Sequence, residues 1–101
     1  MAYRLRLTVG FQTWLDGLSD RRAQVRIAAR LRRAELGNLG DWRALGGKVS
    51  EMRIDTGPGY RLYFTGRGGR MIVMLIGGDE STQRRDIAQA RRVAAELEER
   101  S

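Results

Sequence analysis

The apolar residues of this sequence change period along the chain, from two to near 3.6, back to two, and again to near 3.6, so the chain must combine strands with amphipathic helices. Tyr3, Leu5, Leu7 and Val9 alternate with Arg4, Arg6 and Thr8, which predicts a half-buried strand. Phe11, Trp14, Leu15 and Leu18 fall at helical spacing and predict a short helix. Asp20 offers an N-cap for a longer helix to about Leu36, with Ala23, Ile27, Leu31 and Ala34 as its buried stripe and Gly37-Asn38 as its stop. Arg22, Arg26, Arg30 and Arg33 follow the same period beside that stripe; such a ridge suits a solvated face as well as a binding one. A loop over 37–47, holding Asp41, Trp42 and Arg43, leads to strands at 49–55, 60–65 and 71–76, whose glycine-rich turns favour antiparallel neighbours. After Gly77-Gly78, the polar run Asp79-Glu80-Ser81-Thr82 opens a last helix with Ile87, Ala90, Ala94 and Leu97 on its buried side. The order β-α-α-β-β-β-α reads as α+β: a small antiparallel sheet of about four strands with helices packed mainly on one face.

With 101 residues the chain fits one domain, 1–101, and shows no repeat or low-complexity linker. It contains no cysteine and no histidine, which removes disulfides, thiol nucleophiles, zinc-thiolate sites and the commonest general base. No metal and no small-molecule cofactor are expected, and any catalysis must proceed without Ser-His-Asp, Cys-His or His-ligated metal arrangements. The apolar run 71–76 is far too short for a membrane span and the first residues lack a signal-peptide core, so a cytoplasmic location without membrane contact is expected. A net charge of +7 points to a polyanionic partner, nucleic acid or an acidic protein. Lys48 is the single lysine, and the arginine forks that carry the remaining positive charge bind phosphate oxygens bidentately.

Strand alternation places Glu51, Arg53 and Asp55 opposite Met52 and Ile54, and Arg61, Tyr63 and Thr65 opposite Leu62 and Phe64. If the apolar sets face the helices, then Glu51, Arg53, Arg61 and Tyr63 share the other face, as an anion-binding surface with one candidate proton acceptor. Alternation alone is met at least as well by a wet sheet face carrying cross-strand Glu–Arg pairs. Trp14, Phe64, Met52 and Met74 are expected in the core rather than at a ligand.

Several short motifs narrow these alternatives. Glu51-Met52-Arg53, then Gly57-Pro58-Gly59-Tyr60-Arg61-Leu62-Tyr63-Phe64, then Leu75-Ile76-Gly77-Gly78-Asp79, and Ser81-Thr82-Gln83 followed by Asp86-Ile87 and Ala90, resemble the RelE/HigB-like killer proteins of the RelE/ParE superfamily. Phe11, Trp14-Leu15, Asp20 and Gly37-Asn38-Leu39-Gly40-Asp41 extend the likeness over nearly the whole chain. The resemblance implies a RelE-like toxin of a type II toxin–antitoxin pair, a ribosome-dependent mRNA endoribonuclease. It also implies a neutralising antitoxin, often a helix-turn-helix protein, encoded beside it. Carried over by motif, Arg53, Arg61, Tyr63 and Glu51 are the candidate catalytic residues, and Lys48, Gln83, Arg84 and Arg85 the candidate RNA-binding ones. Where the family usually has lysine after Gly-Gly-Asp, this chain has Glu80.

RNA supplies its own nucleophile, the 2′-hydroxyl, so histidine is dispensable. In the reading implied by the family, Arg53 and Arg61 clamp the scissile phosphate and offset charge developing in the transition state. Tyr63 stacks on or bonds the nucleotide, and Glu51 either orients Arg53 or serves as the base. Two other readings stand beside it: a non-enzymatic ParE-like toxin that inhibits DNA gyrase, and a catalytically degenerate antitoxin-binding protein, which Glu80 favours.

Overall fold

The computed structural model describes residues 2–100; the ends of the expected 1–101 domain, Met1 and Ser101, lie outside the described residues. Strand β1 (Arg4–Leu7) is followed by helices α1 (Val9–Asp16) and α2 (Arg21–Glu35). Strands β2 (Trp42–Gly46), β3 (Val49–Ile54), β4 (Tyr60–Arg67) and β5 (Met71–Asp79) come next, and a 3-10 turn (Glu80–Thr82) leads into α3 (Gln83–Glu99). The fold is α+β, as the hydrophobic periods predict. No helix among the described residues is long and apolar enough to cross a membrane.

The helix ends follow their caps. Thr8 Oγ1 accepts from the Phe11 N–H at 3.0 Å, and Asp20 Oδ1 accepts from the Ala23 N–H at 3.2 Å, each satisfying an N–H that the first turn leaves orphaned. The predicted stripe Ala23, Ile27, Leu31 and Ala34 is buried, and Gly37 takes φ 101° just beyond α2. Asp79 accepts from the Ser81 N–H at 2.8 Å at the start of the 3-10 turn. The Ser81 hydroxyl, which also donates to it, is the main reason its carboxyl sits below the usual aspartate range.

Five strands form one sheet in the order β1-β5-β4-β3-β2, one more than the sequence predicts. The additional strand is β2, within the 37–47 segment expected to be a loop. It is an exposed edge strand held by backbone pairing of Trp42 to Met52 and Arg43 to Glu51, so it carries no hydrophobic alternation to read. The sheet is also mixed rather than antiparallel throughout, because β1 pairs parallel to β5, Leu5 opposite Ile72. Tight turns fix the direction of β2 to β5 only; β1 joins the sheet through two helices, which free its direction.

Both sheet faces are covered. On one, α1 and α2 pack Phe11, Ile27 and Leu31 against Met52, Ile54, Leu62, Phe64, Ile72 and Met74. On the other, Val49, Tyr63, Val73 and Leu75 form a second core with Ala90 and Ala94 of α3. Two of the three helices thus share a face, and α3 takes the opposite one because Val49, Val73 and Leu75 leave an apolar half there that water would otherwise meet.

Between Tyr63 and Phe64 the β4–β5 register skips from Ile76 to Met74, a bulge that leaves Leu75 as the extra residue and turns both Leu75 and Ile76 toward α3. Beyond the bulge β5 continues past Ile76, its expected end, through Gly77 and Gly78 to Asp79. Both glycines mark close approaches: a Cβ on Gly77 would lie 2.1 Å from Trp14 Cε3, and one on Gly78 2.0 Å from Asp86 Oδ2.

Candidate functional site

Register decides which charges meet. Arg43 lies opposite Glu51 and Glu51 opposite Tyr63, while one row along Arg53 lies opposite Arg61 and Arg61 opposite Gly78. All five side-chain-bearing positions share the α3 face of the sheet, and the α3 core covers only the Tyr63 end of it. The remaining end, under the 3-10 turn and the first turn of α3, holds the charges.

Glu51 is their hub and is fully buried. Its Oε2 accepts from Arg43 Nε at 2.9 Å, its Oε1 accepts from Gln83 Nε2 at 2.8 Å, and Arg61 Nη1 lies 3.4 Å from Oε1. Arg61, itself buried, also donates from Nη2 to Glu80 Oε1 at 3.1 Å. Two arginines directly across a strand pair repel, and the two carboxylates on Arg61 offset that cost. A buried carboxylate bonded at both oxygens is a structural anchor, and removing one member of such a buried pair typically costs about 3–5 kcal/mol.

Two sequence expectations change here. Glu51 does not orient Arg53: it is bonded to Arg43, Arg61 and Gln83, and with both oxygens taken and no access to solvent it is not placed to take a proton from a substrate. Tyr63 is fully buried between the sheet and α3, so it has no face free to stack on a nucleotide, and its hydroxyl has no hydrogen-bond partner among the described residues. Burial, reinforced by the negative charge of Glu51, pushes the Tyr63 phenol far above its usual range and keeps it protonated. Alternation correctly puts both on the site's face; it does not reveal that α3 covers part of that face.

Arg53 behaves differently. Its side chain is exposed and makes no ion pair or hydrogen bond among the described residues. Its backbone is fixed: the Arg53 N–H donates to the Asp41 carbonyl at 3.0 Å, and its carbonyl accepts from Arg30 Nη1 at 2.7 Å. Arg30 also donates from Nη2 to the carbonyls of Leu39 at 3.1 Å and Asp41 at 3.2 Å, tying α2 to the chain before β2. Sequence periodicity reads Arg30 as one more residue of a basic ridge; its role as the support of Arg53 depends on contacts across 23 residues. Arg43 is hidden in the same way, in a segment that reads as a loop.

Arg53 and Arg61 open on a recess of about 130 Å³, at whose rim stand Asp41, Asp55 and Glu80. Glu80, with its side chain 62% exposed, bonds Arg61 from the position where the family resemblance leads one to expect a lysine. No group of three or more acidic, histidine or cysteine side chains among the described residues is placed to hold a metal ion.

The four residues expected to bind RNA separate. Gln83 reaches the hub through its amide. Arg84 and Arg85 are exposed on the first turn of α3; Arg84 borders a shallow groove with Leu45, Ile87 and Arg91, and Arg85 Nε lies 4.0 Å from Asp86 Oδ1. Lys48 is in the β2–β3 turn at φ 66°, ion-paired with Glu98 near the far end of α3. It stands five residues along β3 from Arg53, roughly 16 Å at strand rise, because the hairpin carries its turn away from the recess.

No family model matches the chain. An uncharacterized protein of Haemophilus influenzae is 41% identical over 97 residues, a span covering 96% of this chain and 98% of that protein. The chain belongs to that protein's family. Among solved structures, the E. coli toxin RelE, a double arginine-to-alanine mutant in the free state, superposes with a TM-score of 0.69 over 91% of this chain and 97% of its own, at 14% sequence identity. The fold is RelE-like.

Proposed function

We propose that the chain is the toxin of a type II toxin–antitoxin pair, an mRNA endoribonuclease that acts on the translating ribosome, needs no metal and is silenced by a cognate antitoxin encoded beside it. The observation that carries this reading is Arg53: an exposed guanidinium without a partner, on a braced backbone, at a recess in a RelE-like sheet. A cation left unneutralised on a braced backbone is free to meet a phosphodiester, and a cationic donor aimed at developing charge stabilises the transition state. Arg61 supports the same recess from beneath, anchored by Glu51. The overall charge of +7 favours encounter with a polyanion such as the ribosome.

The Glu80–Arg61 pair favours a second reading, a protein that binds antitoxin without cleaving RNA, because the site's buried cation is already neutralised from two sides.

Inducible expression in a bacterial host, with and without the neighbouring gene, followed by mapping of transcript 5′ ends, separates these readings. New ends inside translated codons, suppressed by the neighbour, are the expected result. Arg53→Ala should lower cleavage on the order of a hundredfold, the usual loss on removing one charge-stabilising donor. Its thermal midpoint should stay at the parental value, since the side chain bonds nothing. Growth arrest with intact messages would transfer the assignment to a gyrase-type target, and growth without arrest to the binding protein.

A further inference from the structure

We infer that Glu80 is the general base of the cleavage reaction, an assignment that rests on the RNA-cleaving reading above. A base for the 2′-hydroxyl must be reachable, must keep a lone pair free, and must be held in place. Glu51 fails the first two conditions and Tyr63 fails the first while remaining protonated. Glu80 meets all three. Its side chain is 62% exposed at the recess that Arg53 and Arg61 line. Arg61 Nη2 holds Oε1 at 3.1 Å, and Oε2 has no hydrogen-bond partner among the described residues. The residue's backbone is fixed as well, its N–H donating to the Gly59 carbonyl at 2.9 Å in the turn before β4.

Gly59 is part of that fit. At φ 81° it takes a conformation open to glycine, and a Cβ there would stand 3.4 Å from Glu80 Oε2, crowding the oxygen that must stay free. Arg61 is then a positioning residue that orients the base through one oxygen and is itself held by Glu51, while Arg53 meets the phosphate. The anion at position 80 is therefore a working part of this site rather than a lost cation.

In the step, Glu80 Oε2 takes the proton of the 2′-hydroxyl, and the 2′-oxygen forms a bond to phosphorus as the bond from phosphorus to the 5′-oxygen breaks. The departing 5′-oxygen takes a proton from water, and that water recovers the proton Glu80 removed. The products are a 2′,3′-cyclic phosphate and a 5′-hydroxyl, with no oxidant, reductant or metal consumed.

The test is single-turnover cleavage of a defined message on programmed ribosomes by the full chain and by Glu80→Gln, across a pH series. Glu80→Gln should lower the plateau rate on the order of a hundredfold, the scale of a general-base contribution. Its half-saturating ribosome concentration should hold at the parental value, and the rise of rate with pH expected of the parent should vanish. Glu80→Asp should recover part of the rate and the rise. A parental enzyme that cleaves while Glu80→Gln cleaves equally fast overturns the assignment alone. A faster Glu80→Gln makes Glu80 a mask on Arg61 and overturns it too. A parental protein that leaves messages intact on ribosomes overturns the nuclease reading and this inference together.

Discussion

At the scale of single residues, the site is governed by which polar atoms have partners. Glu51 and Arg61 are buried and bonded, Arg53 and Glu80 are exposed and keep bonding capacity, and the proposed chemistry is assigned to the second pair for that reason. Tyr63 departs from the pairing rule, as does Arg30 at Nε: it is a fully buried phenol whose hydroxyl meets no partner among the described residues. A buried hydroxyl without a hydrogen bond costs about 1–3 kcal/mol, and removing it leaves the ring's packing against Val49, Leu75 and Ala90 intact. Tyr63→Phe should therefore be more stable than the parent in urea unfolding, by about 1–3 kcal/mol, the cost of burying the unbonded hydroxyl. A clear loss of stability would show that the hydroxyl has a bond in solution. Alternation placed Tyr63 and Glu51 on one face with Arg53 and Arg61, yet their burial is decided by α3, which arrives from the end of the sequence.

At the scale of elements, the site depends on how closely β5 lets its neighbours approach. The strand read from the sequence stops at Ile76, because Gly77 and Gly78 carry no apolar side chain to continue its pattern, whereas here they extend the strand and admit Trp14 on one face and Asp86 on the other. In a strand interior, replacing glycine by alanine ordinarily helps by removing chain entropy, so the sign of the effect is diagnostic. Gly77→Ala would set its methyl 2.1 Å from the Trp14 ring, which must then move away from Phe11 and Tyr60. A loss of about 1–3 kcal/mol is expected, the usual cost of overpacking a filled core, measured as a lower denaturation midpoint. A gain would mean that α1 rides loosely on the sheet. The caps at Asp20 and Thr8 follow from local rules and were legible; β2 was not, because an exposed edge strand depends on its partner's backbone and not on its own pattern.

At the scale of the whole molecule, a chain of net charge +7 carries mutual repulsion that the fold must overcome. Arg22, Arg26 and Arg33 stand exposed on α2, and added ions weaken such repulsion over distances of about 10 Å. The thermal midpoint should rise as salt increases from about 10 mM to about 150 mM, the range in which the Debye length shortens most usefully. A falling midpoint would show that exposed ion pairs such as Lys48–Glu98 dominate the balance. The sequence by itself determined the succession of strands and helices apart from β2, the buried stripe of α2, its cap, and the shared face of Glu51, Arg53, Arg61 and Tyr63, because each follows from a local cap or from a period of 3.6 or 2 within a few neighbouring residues. Only the tertiary structure decided the parallel pairing of β1, the second core beneath α3, the brace of Arg30 on Arg53, and the division of four polar residues into buried anchors and reachable groups. These depend on residues tens of positions apart meeting in space, and solvent access is a property of what covers a side chain, which no local pattern encodes.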